Sequence, residues 1–255
     1  EMCIRDRAIT LEQSKLTLSK DITVLSFSDS SMVDRNSSII KVDSGWIVYS
    51  KNSESSILSF TSDGQFSGYI GHRGNGPGEY TSVYDVVVNQ KSKVLEVLSD
   101  GGIFCYTFGG DFLDKKEVTY PAFSFAIDDR QNYWFYVGNN TTYGDAKMIC
   151  TDENIANVAY YLHQKSNMLP MVENNFGRNG EWLTFHESLN HDLYTIENGK
   201  LDLSYAMDFP NYKLPKKLHE LSGMEVIEEL QRSNYASIIN LSLIHISEPT
   251  RHLRI

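Results

Sequence analysis

Cysteine is scarce: Cys3, Cys105 and Cys150 are the three in 255 residues, too few for a disulfide framework or a four-thiolate zinc site. No apolar run approaches the roughly 18–20 residues that a membrane-crossing helix requires. Basic residues are sparse and scattered, 23 Lys and Arg against 33 Asp and Glu, for a net charge of −10. Nucleic acids are held by grouped cations, so the composition argues against nucleic acid as a partner and disfavours an anionic membrane surface. A Gly-x-Ser-x-Gly nucleophile elbow is absent, as is the Gly-Lys-Ser/Thr of a phosphate loop. No catalytic residue, metal site or cofactor is assigned from these signals.

The two ends stand apart from the rest. EMCIRD at the start back-translates to a nucleotide stretch whose reverse complement encodes LSLIHIS near the other end, and both fit the end sequence of a transposon-based sequencing adapter. Residues 1–7 and 241–255 are therefore expected to be translated adapter flanking a partial domain at 8–240. Cys105 and Cys150 remain, each among alternating apolar residues (IFCY, MICT) where a buried free thiol is expected.

What is present is a repeat. ILSFTSDGQFSGYI, IFCYTFGGDFLDKK, KMICTDENIANVAYY and DLYTIENGKLDLSYA each read as strand, tight turn, strand. Aligned on Gly64, Gly110, Asn154 and Gly199, the residues expected at positive φ in two-residue hairpin turns, they recur at intervals of 46, 44 and 45. Two further short strands precede each hairpin: SIIKV and GWIVYS, YDVVVN and KVLEVLS, AFSFAID and NYWFYVG, then a stretch near Asn174 and EWLTFH. Four β-rich strands per period of about 45 residues describe one blade of a β-propeller, and the lack of helices between strands disfavours a parallel α/β fold. Blades are expected at about 36–71, 83–118, 122–164 and 174–209, forming an open arc of an all-β, six-bladed parent. DITVLSF is expected to complete the last blade of the ring, and SNYASII (234–240) to begin the next one. One helical insertion is expected near 214–233, with Pro215 in its first turn, a Ser222–Glu225 capping box and an inward stripe of Leu218, Leu221, Ile227 and Leu230.

IGHRGNGPGEY, residues 70–80, is the densest motif. In the hairpin FTSDGQFSGYIGHRGNGPGEY the chain resembles an NHL-type repeat, and more closely the bacterial six-bladed β-propeller lipoproteins of unassigned function, whose blade junction reads G-R-x-G-x-G-P-G-E-Y. Gly71, Gly74, Gly76, Pro77, Gly78, Glu79 and Tyr80 match it, and His72 stands where that family has a basic residue. The resemblance implies export and attachment to the outer membrane, from the periplasmic side or at the cell surface, and carries over no catalytic residue.

By blade topology the loop links an outer strand to the next inner strand, near the mouth of the central channel. It shares that face with the second-to-third-strand loops at Lys51–Ser55, Asp100–Gly102, Asn139–Asp145 and His186–His191. His72, Arg73, Glu79 and Tyr80 are read as a polar rim, with Asp85 just beyond, for a glycan, peptide or envelope protein. The plainer reading makes the glycines supply left-handed turns, Pro77 stiffen the crossover and Arg73 pair with Glu79. Tyr80 and Tyr143 are the exposed tyrosines offered for stacking on sugars. HESLNH (186–191) carries two histidines five apart and is read as a solvated hairpin before a zinc site. The functions carried forward are a non-catalytic binding or scaffold propeller and a propeller enzyme of the lactonase or lyase type. The second would hold a metal over the channel, with Asp85 and Asp128 as the visible ligands.

Overall fold

The computed structural model describes residues 22–26, 37–51, 56–138, 146–163, 174–179, 182–209, 211–215, 218, 220–221, 223–232 and 235. Residues 52–55, Tyr143 and its loop, Ser222 and both tails lie outside them.

Four antiparallel four-stranded sheets follow one another as propeller blades. Blade 1 comprises β1 (Ser38–Val42), β2 (Gly45–Tyr49), β3 (Ile57–Thr61) and β4 (Phe66–Ile70). The crossover adds two short strands, β5 (His72–Arg73) and β6 (Glu79–Tyr80). Blade 2 comprises β7 (Asp85–Asn89), β8 (Val94–Ser99), β9 (Gly102–Tyr106) and β10 (Phe112–Glu117). Blade 3 comprises β11 (Ser124–Ile127), β12 (Tyr133–Tyr136), β13 (Ala146–Thr151) and β14 (Ala159–His163). Blade 4 comprises β15 (Phe176–Asn179), β16 (Trp182–Phe185), β17 (Asp192–Glu197) and β18 (Lys200–Ala206).

Each blade runs in sequence order from inner to outer strand, and β11 lies beside both β7 and β15. The two faces of each sheet split the alternating residues between neighbours. Ile47 and Tyr49 of blade 1 meet Val86, Leu95 and Val97 of blade 2. Leu98, Ile103 and Cys105 meet Phe125, Tyr133 and Phe135 of blade 3. Trp134, Tyr136 and Met148 meet Leu183, Phe185 and Ile196 of blade 4. Each of these three seams is thus a largely apolar sheet-on-sheet core, and Cys105 and Cys150 are free and buried within them.

The outer hairpins correct one expectation. In blades 1 and 2 the turn has three loop residues, closed by Gly64 N to Thr61 O (2.9 Å) and Gly110 N to Thr107 O (3.0 Å), with the glycine at φ of 89° or 100°. Blade 3 repeats it with Ile155 N to Asp152 O at 3.1 Å, and Ile155, not Asn154, takes the positive φ of 59°. The Asp152 carboxylate dictates that choice by accepting the amides of Asn154 and Ala156. Only blade 4 has the two-residue turn, with Asn198 at 55° and Gly199 at 73° between paired Glu197 and Lys200.

The α-helix α1 (Gly223–Arg232) is shorter than the predicted insertion. Pro215 falls before it, where its carbonyl accepts the Leu218 amide at 3.0 Å. Leu218, Leu221 and Leu230 pack inward as expected, but Val226 is buried in place of Ile227, which is exposed.

Candidate functional site

The crossover at 71–80 is knit to itself. β5 and β6 pair in parallel, His72 opposite Glu79 and Arg73 opposite Tyr80. Gly74 N donates to Tyr80 O at 3.0 Å and Glu79 N to Gly76 O at 3.0 Å. The Glu79 carboxylate turns inward and accepts the Gly76 amide at 2.8 Å. A Cβ on Gly74 would stand 2.0 Å from a Glu79 carboxylate oxygen, so a larger residue there would push that carboxylate off the Gly76 amide. Positive φ is confined to Gly71 (61°) and Gly78 (76°) within the loop, which corrects the idea that all its glycines supply left-handed turns. Arg73 Nε donates to Thr81 O at 2.8 Å.

Tyr80 is not an exposed rim residue. It is completely buried in the seam between blades 1 and 2, edge-on to Tyr106 at 6.2 Å. Its hydroxyl donates to Ile70 O (3.3 Å) and accepts the Ile57 amide (3.2 Å), and burial pushes its phenol pKa up. The alternation of β-structure through GEYTSVYDV puts Tyr80 inward once Glu79 folds back onto the glycines. His72 and Arg73 remain exposed.

Sequence reasoning missed the group that follows. The exposed Asp100 carboxylate, in the β8–β9 turn, accepts hydroxyls from Thr81 (2.7 Å), Ser82 (2.8 Å) and Tyr84 (2.5 Å). The Tyr84 hydrogen bond leads these in holding the Asp100 carboxyl below its usual value. The available signal is the hydroxyl run in YTSVY, which leads into β7. The open polar surface of this face is therefore His72, Arg73, Thr81, Ser82, Tyr84 and Asp100.

Asp85 belongs to a different class. It is buried, receives Lys51 Nζ at 2.8 Å from blade 1 and accepts the Phe125 amide at 3.1 Å from blade 3. It bolts three blades together, which replaces the expected ligand contact. Asp128 is spent on its own turn: Oδ1 accepts the amides of Arg130 and Asn132, and Oδ2 accepts Asn132 Nδ2 and Trp134 Nε1. Glu96 accepts Asn89 Nδ2 at 2.9 Å and the Tyr133 hydroxyl on both oxygens. Among the described residues, no three His, Cys, Asp or Glu side chains converge as metal ligands would.

HESLNH is also corrected: it is a loop between β16 and β17, and its centre is buried rather than exposed. His186, Glu187 and Leu189 are buried. Glu187 accepts Lys147 Nζ at 2.8 Å, the Tyr136 hydroxyl at 3.0 Å and Asn190 Nδ2 at 3.0 Å. Leu189, held at a φ of 59°, joins Leu218 and Val226 in the small core beneath α1. His191 lies edge-on to Phe209 at 4.8 Å.

No helix among the described residues is long and apolar enough to cross a membrane. No curated protein matches the sequence. Among solved structures, a Bacteroides fragilis protein described as exported is similar, with a TM-score of 0.72 at 15% identity over 86% of this chain. A member of the DUF4221 family from Bacteroides vulgatus gives a TM-score of 0.52 at 10% identity over 77%. These likenesses speak to the fold. The chain spans 65% and 64% of the two proteins, just under two thirds of each. Residues 9–245 match the family described as Domain of unknown function (DUF4934), and the chain belongs to that family.

Proposed function

We propose that this chain forms part of a non-catalytic binding or scaffold propeller of the bacterial cell envelope, six-bladed when closed. Its partner, a glycan, peptide or envelope protein, meets the glycine-loop face at His72, Arg73 and the hydroxyl groups of Thr81, Ser82 and Tyr84 around Asp100, while Glu79 holds the loop from within. The observation that carries this reading is the commitment of the buried acids. Asp85, Glu96, Asp128 and Glu187 each have both carboxylate oxygens engaged by groups of the protein. Acids so placed stabilise seams and turns; a Lewis-acid site would need several of them turned toward one point. The exported description of the Bacteroides fragilis protein supports export of this one, and the NHL-like glycine loop supports a lipoprotein at the outer membrane, facing the periplasm or the cell surface.

Metal content separates this from a lactonase- or lyase-like enzyme. Protein equilibrated with zinc, calcium and manganese and then desalted is expected to retain much less than one ion per chain by plasma mass spectrometry. One tightly held ion, lost in Asp85→Asn, would overturn the binding reading in favour of the enzyme. On a glycan and peptide array, a signal reduced by Arg73→Ala and Asp100→Asn, with folding intact, would locate the partner on this face.

A further inference from the structure

Asn75–Gly76 and Asn198–Gly199 are the same dipeptide at two places, and both asparagines are exposed. A third such pair, Asn179–Gly180, ends outside the described residues. In each, an asparagine carboxamide, a chemically labile group, precedes a residue with no side chain to shield its backbone nitrogen. Exposure does not separate Asn75 from Asn198; what surrounds each of them does.

Asn198 is held. Its Oδ1 accepts Arg130 Nη2 of blade 3 at 3.1 Å, and its backbone sits at a φ of 55° in the two-residue turn closed by paired Glu197 and Lys200. A Cβ on Gly199 would stand 3.2 Å from Asn132 Nδ2, so this turn lies against its neighbour in blade 3. To reach the Gly199 nitrogen, the Asn198 carboxamide must leave Arg130 and the turn must open. Asn75 is under no such restraint: no hydrogen bond among the described residues reaches its carboxamide, and its φ is not positive.

The Gly76 nitrogen completes the arrangement. Its N–H points at Glu79 Oε2, 2.8 Å away, so the proton that this nitrogen must release has an acceptor in place. A hydrogen bond along N–H lies in the peptide plane and leaves the two faces of the nitrogen open to the Asn75 side chain.

We infer that Asn75–Gly76 is a self-modifying site, at which the Asn75 carboxamide is converted to a carboxylate with water as the sole co-reactant. The Gly76 nitrogen bonds to Asn75 Cγ as its proton passes to Glu79. The Cγ–Nδ2 bond then breaks, and Nδ2 takes that proton away with it as ammonia. One water opens the resulting cyclic imide at either carbonyl, giving aspartate or isoaspartate and restoring the Gly76 N–H. What the change does rests on the binding reading: a carboxylate appears beside His72 and Arg73 on the face assigned to the partner. The isoaspartate form also lengthens a backbone that the Gly74–Tyr80 and Glu79–Gly76 hydrogen bonds tie down.

Tandem mass spectrometry of the peptides carrying each pair tests this in the folded 255-residue chain after incubation at mildly alkaline pH. The readout involves no partner, so it stands or falls apart from the binding reading. Asn75 is expected to convert while Asn198 stays an amide, and in urea both should convert at similar rates. Glu79→Gln keeps an oxygen for the Gly76 amide but is a far weaker base, and should slow conversion of folded Asn75 by roughly tenfold or more. A merely structural Glu79 would give the opposite result, a looser loop that converts faster. Asn75 that stays an amide in the folded chain, Asn198 that keeps pace with it, or a Glu79→Gln variant that is not slowed would each overturn the inference.

Discussion

Two loops on the same face of the propeller are built in opposite ways. The 71–80 crossover is rich in glycine and carries a motif, yet its bonds are mostly internal and its exposed side chains include His72 and Arg73. The 186–191 loop looks like an ordinary polar hairpin, yet it buries Glu187 against Lys147 across the seam of blades 3 and 4 and gives Leu189 to the core under α1. Contact between Asp100 and Thr81 shows that crossovers and second-to-third-strand loops do meet on one face. The lesson is that motif density follows backbone demand, whereas energetic weight follows burial of charge.

Breaking the comparison begins with Glu187. Glu187→Ala leaves the Lys147 ammonium buried with its acid removed, and should cost about 3–5 kcal/mol in chemical denaturation. Within the crossover, Gly78→Ala forces a side chain to positive φ and against the Phe112 ring, where a Cβ would stand 2.6 Å away. It should cost about 1–3 kcal/mol. Gly76→Ala, at ordinary φ with only the Glu79 side chain nearby, should cost less than Gly78→Ala by the same assay. The reverse ranking would mean the loop is held by something other than left-handed backbone.

The seams supply a further test, sensitive to pH. Burial pushes the Cys105 and Cys150 thiols up to about 12, from an ordinary 9.0. Folded protein should therefore resist thiol reagents at pH 8 and react at both sites once unfolded. Because these folded-state values are raised, the linked stability is fully present below about pH 9 and is lost as pH climbs toward 12. The smallest effect belongs to Asp100, whose lowered pKa means its stability contribution is present above the unfolded value of 3.8 and lost as pH falls below it. Solvent screening keeps that below about 1 kcal/mol, and Asp100→Asn should abolish this part of the acid limb.

The blade repeat was legible because hairpin turns recur at fixed intervals and blade strands alternate visibly. It misplaced the third turn by one residue, since nothing local favours Ile155 over Asn154 at positive φ until Asp152 caps the turn. The glycine loop was legible as a crossover, but the inward turn of Tyr80 depends on a seam formed with blade 2. Asp85 read as a ligand because an acid opening an inner strand carries no mark of its partners: Lys51 is 34 residues earlier and Phe125 is 40 later. For HESLNH, Leu189 amid polar neighbours was the available clue, and the stripe of α1 that covers it needed a partner.

The most direct test is thermal unfolding of Glu187→Gln beside Arg73→Ala under identical conditions. Glu187→Gln is expected to lower Tm by several degrees, because the buried Lys147 loses its counter-charge, while Arg73→Ala stays within the spread of ordinary surface substitutions, about 0.5 kcal/mol. A large loss in Arg73→Ala with Glu187→Gln unchanged would contradict the division between a seam that holds the blades and a crossover whose Arg73 is exposed at the surface.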